Sequence, residues 1–300
     1  MITGGPDVGR AFAALPFDHL LFTGSTAVGR EVMQAAARNL TPVTLELGGK
    51  SPAIVGRGIA MAEAAERLMH GKCLNGGQTC IAPDYALVPR EAVDAFVSAA
   101  RAAVARRYPT LAANPDYTAI IDDRHRARLQ GWLDEARAGG ATILEINPAG
   151  EALAGSPKIA PTLVLGTPPQ SHLLREEIFG PVLPVIAYDT LDEAIGYVNA
   201  RPRPLALYVF ERDEAAIERV LARTVSGGVT VNDTLLHVAQ EELPFGGVGP
   251  SGMGEYHGRA GFDRFSKLKA VYRPSRFNAA RLLAPPYGPR VKAMIDFLLR

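Results

Sequence analysis

Cysteine is nearly missing from this chain, with two residues in 300. That scarcity excludes a disulfide framework and points to a reducing, cytoplasmic setting. A surplus of either charge is missing as well. Lys and Arg number 32 against 31 Asp and Glu, a net charge of +1, so no global field draws the protein to nucleic acid or an anionic membrane. No apolar run approaches the roughly 18–20 residues that span a bilayer, so no integral membrane segment is expected. The opening MITGGPDVGRAFAALPFDHLLF lacks the basic stretch and unbroken apolar core of a signal peptide. Metal-ligand spacing is absent too. His19, His70, His125, His172, His237 and His257 form no H-x-x-x-H pair, and the cysteines no C-x-x-C.

What remains is an ordinary globular composition, 47% hydrophobic and 21% charged, in a chain long enough to bury a large core. Short β-rich runs alternate with helical stretches. DHLLFTG reads as a strand, 27–39 as a helix and VTLELGG (43–49) as a strand begun after Pro42. PAIVG, a helix over AEAAERLMHG, YALVP and a long helix from Glu91 to about Arg107 follow. Two later pairs are LDEAIGYVNA with LALYVFE, and DEAAIERVLARTV with GVTVND. The alternation predicts α/β architecture with a largely parallel sheet. Residues 108–120 and the Pro-rich stretch 156–169 read as connections. The first 50 residues hold one strand–helix–strand unit, where a doubly wound nucleotide fold needs two such halves. The expectation is a chain that starts in mid-domain.

Three stretches carry chemistry. CLNGGQTC (73–80) holds both cysteines. A thiolate is favoured where backbone N–H groups face the sulfur, and Gly76 and Gly77 permit a turn that supplies them. The same N–H groups can hold an oxyanion. The competing reading is two inert core thiols, and Cys73 is the better candidate for that. In FTGSTAVG (22–29), Gly24 allows a tight turn and Ser25 or Thr26 caps a helix whose free N–H groups can meet a phosphate. An ordinary strand-to-helix turn reads the same way. In LELGGKSP (45–52), Glu46 ends an apolar strand against Gly48 and Gly49, where desolvation raises a carboxylate toward the range of a general base. A strand-end Glu facing solvent is the plain alternative.

LELGGKSP, GQTC and EEIFGPVLPV (176–185), in that order, resemble the aldehyde dehydrogenase superfamily, with Glu46 to Cys80 spanning 34 positions and Cys80 to Glu177 spanning 97. FTGSTAVG upstream fits, as does VNDTLLHVAQEELPFGGVGPSGMGEYHGRAGFDRFS (231–266), which looks most like the class 3 branch that includes fatty and coniferyl aldehyde dehydrogenases. The likeness runs from about residue 2 to 272.

The resemblance implies an aldehyde dehydrogenase-like α/β fold: a partial Rossmann-type cofactor domain plus an α/β catalytic domain. Its boundaries would be 1–47 for the cofactor-domain remnant, 48–248 for the thiol domain and 249–300 for a return segment and tail. It implies oxidation of a small-molecule aldehyde, aromatic or aliphatic, with NAD or NADP, and a homodimer in the full-length form. Cys80 would be the nucleophile and Glu46 the base that activates water. Gly24 and Ser25 would meet the pyrophosphate, Leu47 the nicotinamide amide through its backbone, Glu177 the ribose, and Phe179 the nicotinamide ring. The family's oxyanion Asn and ribose Lys belong upstream of Glu46, farther than this chain extends. His237 and Phe245 are expected to pack. Two other readings stay open: an impaired chain acting as a subunit or binding module, and a cofactor-free thiol esterase.

Overall fold

Apolar runs closed by glycine or proline become strands here, and stretches with apolar residues every three or four positions become helices. The computed structural model describes residues 1–276, 278 and 284–300. The order begins α1 (Pro6–Ala13), β1 (Leu20–Thr23), α2 (Thr26–Ala37), β2 (Val43–Glu46), β3 (Pro52–Val55), α3 (Met61–Cys73) and β4 (Tyr85–Pro89). It continues α4 (Val93–Arg107), α5 (Asp123–Ala138), β5 (Thr142–Glu145), β6 (Thr162–Leu165), α6 (His172–Arg175) and β7 (Val182–Tyr188). Then come α7 (Leu191–Asn199), β8 (Ala206–Phe210), α8 (Glu214–Arg223), β9 (Gly228–Val231), β10 (Gly252–Met253), α9 (Gly258–Arg264) and α10 (Pro289–Leu298). Side-chain caps set several helix starts: Asp122, Thr190 and Asp213 each accept a first-turn N–H.

Two sheets organise residues Met1–Phe265. The larger has the order β5-β6-β7-β4-β3-β8-β9, and every pairing in it is parallel except β5 with β6. Its central strands are buried on both faces, as parallel strands between helices must be. In β8, Ala206, Tyr208 and Phe210 join the core that holds Leu68 and Phe96, while Leu207 and Val209 join the one that holds Ile195 and Val220. That period-two split is why LALYVFE reads as continuously apolar. The smaller sheet pairs β1 with β2 in parallel and β2 with β10 antiparallel. Residues Ser266–Arg300 form a separate unit that contains α10.

The structure departs from the sequence expectations at three places. The strand expected over 43–49 ends at Glu46, and the next N–H, that of Leu47, is taken by Ser251 O at 3.1 Å. The Pro-rich stretch 156–169 is not only a connection, because it contains β6, whose Leu163 and Val164 are fully buried. Periodicity also passed over α1 and α5; α5 is mostly polar and buries only Leu129, Leu133 and Ala136.

Candidate active site

The chain crosses from one sheet to the other at LELGGKSP, and the candidate residues gather around that crossing. Glu46 is the last residue of β2, paired in register with Thr23 of β1 and Gly252 of β10. Carboxyl ends of parallel strands are where open α/β sheets present groups to ligands. Its side chain is buried, and among the described residues its Oε1 has no hydrogen-bond partner. Desolvation lifts the carboxyl from 4.5 to about 7, against the pull of the Gly247 N–H. A buried oxygen with nothing to bind is costly unless it serves a passing ligand or water.

Cys80 lies at the end of a tight loop. Asn75, Gly76 and Gly77 take left-handed backbone angles in succession, with φ of 51°, 62° and 74°. Gly77 allows nothing larger, because a Cβ there would lie 2.3 Å from Gly180 O. Gln78 pins the loop: its Nε2 donates to Ala119 O at 2.9 Å, and its Oε1 accepts from Ile121 N at 2.9 Å. The thiol is half-buried against the core that holds Tyr208 and Phe245, as is Tyr256.

One expectation is reversed here. The backbone N–H groups of Cys80 and Ile81 do favour the thiolate, yet burial first, and the charges of Glu46 and Glu177 next, push the thiol up to about 11. Desolvation and two carboxylates outweigh two amides. Cys73 is fully within the core, its thiol pushed up to about 12 by burial, and it has the surroundings of an inert residue.

Glu177 stands on the loop between α6 and β7. Burial, then Asp84, raise its carboxyl to about 7, while the Gly49 N–H, Lys50 and Lys72 pull the other way. Phe179 follows in a left-handed conformation at φ 50°, uncommon for a bulky residue and a mark of a loop held by its surroundings. Three groups that the motif reading passed over hold this loop. Lys50 pairs with Asp84 and donates to Leu173 O and Glu176 O, both at 2.9 Å. Asp84 accepts from Ile178 N at 2.9 Å. Arg128 donates to Ile178 O at 2.8 Å and to Glu177 O at 3.4 Å. The signal was present in GGKSP and in the charged Asp84 set before an apolar strand, but only the fold brings the two together.

The remaining positions sit at the end of β1. Gly24 N donates to Glu46 O at 3.0 Å, so the two strand ends are tied together. Ser25 caps α2 by accepting from Val28 N at 3.4 Å, and Thr26 reaches Pro250 O at 2.9 Å. Leu47 is buried, its side chain filling the place that a Cβ on Gly29 would need. His237 and Phe245 are buried and pack together with Tyr208, as expected of packing residues. A cavity of about 590 Å³ lies elsewhere, between α1, β1 and α2, and none of the candidate residues lines it.

A thiol facing the charges of two carboxylates, each raised by burial to about 7, is thus the candidate site of this α/β fold. The sequence matches the aldehyde dehydrogenase family over residues 1–271, and the chain belongs to that family. It is 58% identical over 296 residues to a probable coniferyl aldehyde dehydrogenase of Caulobacter vibrioides, covering 97% of this chain and 61% of that protein. It is 45% identical over 264 residues to a rat aldehyde dehydrogenase described as dimeric and NADP-preferring, covering 87% of this chain and 56% of that one. Among solved structures, the substrate-bound state of Staphylococcus aureus AldH superposes with a TM-score of 0.89 at 41% identity, over 99% of this chain and 64% of the other. The chain thus spans about three fifths of the length of such relatives.

Proposed function

We propose that the protein of which this chain is part oxidises aldehydes to carboxylic acids with NAD or NADP, and that Cys80 and Glu46 perform the chemistry. The observation that carries this reading is the buried, unpartnered Oε1 of Glu46, on a carboxyl raised to about 7 whose charge acts on the Cys80 thiol. When Glu46 takes the thiol proton, it loses the charge that opposed the thiolate, so one transfer both creates the nucleophile and relieves the repulsion. Cys80 sulfur then attacks the carbonyl to give a thiohemiacetal, and its backbone N–H donates to the new oxyanion. The bound nicotinamide cofactor supplies a hydride acceptor. Glu46 then releases the thiol proton to solvent and, ionised again, draws a proton from water; the hydroxide so formed opens the thioester, Cys80 leaving as thiolate, and frees the acid.

The chain's residues fit that cofactor. Gly48 lacks a side chain where the Glu177 carboxylate stands, so the carboxylate faces the crossing between the sheets. There it would accept from ribose hydroxyls, with Phe179 beside the nicotinamide ring. Gly24 and Ser25, at the start of α2, would face the pyrophosphate. Leu47 would offer its carbonyl to the amide, its N–H being engaged by Ser251.

The names of the relatives favour aromatic aldehydes of the coniferyl type, and the core against which Cys80 packs contains the aromatic residues Tyr208 and Phe245. We also assign residues 1–47 to the cofactor domain, 48–248 to the thiol domain and 249–300 to a return segment and tail. A homodimer is our reading of the assembly.

Intact-mass spectrometry after 4-nitrophenyl acetate tests the chemistry. An acyl adduct on Cys80, absent in Cys80→Ala and long-lived in Glu46→Gln, is expected. Rapid adduct formation in Cys80→Ala would reject Cys80 as nucleophile.

A further inference from the structure

The near-zero net charge of the chain hides a division. Residues 266–300 carry eight Lys and Arg against a single acidic residue, Asp296. That is +7 in a chain whose total is +1, so the first 265 residues carry −6. Asymmetry of this kind marks a basic segment with an anionic partner. The same residues form the separate unit that contains α10, and the family match stops within it, at residue 271. The chemistry proposed for Cys80 uses none of them.

Charge and apolar surface are interspersed in this unit. Lys267, Lys269, Arg273 and Arg276 share a short stretch with Leu268 and Tyr272, and every residue from 266 to 276 is exposed. In α10, Val291, Met294, Ile295 and Leu298 fall on one face at helical spacing, and no residue of the helix is buried. Arg290 and Lys292 stand about 100° to either side of Val291, where long cationic side chains can flank an apolar face. Toward the end of the helix Phe297, Leu298 and Leu299 are 78%, 72% and 81% exposed. Large apolar side chains gathered in water mark an interaction surface. Among the described residues no helix is long and apolar enough to cross a bilayer, so a lipid partner would be met at its surface.

We propose that residues 266–300 dock the protein on an anionic lipid surface, with the apolar face of α10 in the headgroup layer and the basic residues against the lipid charges. Two features select this partner. A nucleic acid would answer the charge and leave Phe297, Leu298 and Leu299 in water. An apolar protein groove would cover those three and leave the net +7 unmatched. An anionic bilayer meets both at once. Tyr272 and Tyr287, both exposed, carry the ring and hydroxyl that suit the boundary between headgroup and acyl chain. A short apolar face binds lipid weakly by itself and so does diffuse charge, so docking depends on the two together.

Cosedimentation of the protein with vesicles made of equal parts phosphatidylglycerol and phosphatidylcholine tests the docking. It needs neither aldehyde nor nicotinamide, so its result is separate from that of the chemistry at Cys80. Binding is expected at low salt, should weaken as salt is added, and should be slight on phosphatidylcholine alone. Lys267→Gln combined with Lys269→Gln should lower the affinity about tenfold. Phe297→Ser combined with Leu298→Ser should lower it by a similar factor. All four side chains are exposed, so both variants should keep the wild-type circular dichroism. Equal binding to the two kinds of vesicle overturns the proposal, and so does unchanged binding in either variant. Self-association that is lost in the Phe297 and Leu298 variant, without vesicle binding, would overturn it in favour of a second copy of this chain. Binding of duplex DNA in place of vesicles would overturn it in favour of a nucleic acid.

Discussion

The Glu177 carboxylate occupies the space beside Gly48 where a side chain would otherwise stand. A Cβ on Gly48 would lie 2.3 Å from its Oε2 and 2.4 Å from its Oε1, closer than non-bonded atoms approach. The glycine is therefore required by a carboxylate 129 residues away in sequence, and the crossing between the sheets and the loop before β7 form one unit.

Gly48→Ala must displace that carboxylate. Overpacking of this kind costs about 1–3 kcal/mol, and the loop of Glu177 should yield before β2 or β3 does. Urea denaturation should show a loss of that size. NAD(P) affinity should fall in the variant as far as in Glu177→Gln, and a smaller fall would mean that the carboxylate finds its place again.

Lys50 and Asp84 form a buried pair, with side chains 10% and 4% exposed. Breaking such a pair from one side strands the other charge, typically costing about 3–5 kcal/mol. Lys50→Met should therefore destabilise strongly. It should also speed hydrogen exchange at the Ile178 amide, which Asp84 holds in place. Wild-type stability in Lys50→Met would show that Asp84 has other means of compensation.

Much of this site was legible in the sequence because its parts are punctuated. Gly48, Gly49, Gly76 and Gly77 mark turns, Glu46 ends an apolar strand, and the spacing of Glu46, Cys80 and Glu177 carries the resemblance. The strands around them are continuous apolar runs, so β3, β4 and β8 were readable as well. What stayed hidden has a common physical cause. Lys50, Asp84 and Arg128 matter only through partners far along the chain, and each alone looks like an ordinary charged residue. β6 was masked by the prolines that flank it, Pro161 and Pro168, which stand just outside its ladder. The thiol misled for a different reason: local amides favour the thiolate, but the opposing carboxylates arrive from β2 and from the loop before β7.

Stability should decline with pH in a defined window. Glu46 and Glu177 ionise near 4.5 when unfolded and about 7 when folded. Between those values the folded state holds protons that the unfolded state has released. Unfolding free energy therefore falls as pH rises from about 4.5 to about 7, and stays low above it. Each group contributes up to about 3 kcal/mol at pH 8. Glu46→Gln removes one of the two, so its loss between pH 5 and pH 8, read by urea denaturation, should be about half that of wild type. An equal loss in the variant would remove Glu46 from the account.

Alkylation of Cys80 by iodoacetamide reports the same carboxylate from the sulfur's side. Only the thiolate reacts, so the rate without cofactor should climb with pH toward a midpoint near 11. Cys73, fully buried, should not contribute. Burial is the first cause of the raised midpoint and survives mutation of Glu46; the Glu46 charge is the second and does not. Glu46→Gln should therefore lower the midpoint by about one unit without bringing it down to the value of a solvent-exposed thiol. A full return to that value would mean that charge rather than burial dominates, and an unchanged midpoint that Glu46 does not act on the thiol at all. The intermediate outcome is the one required of a base that hinders its nucleophile while charged and frees it on accepting its proton.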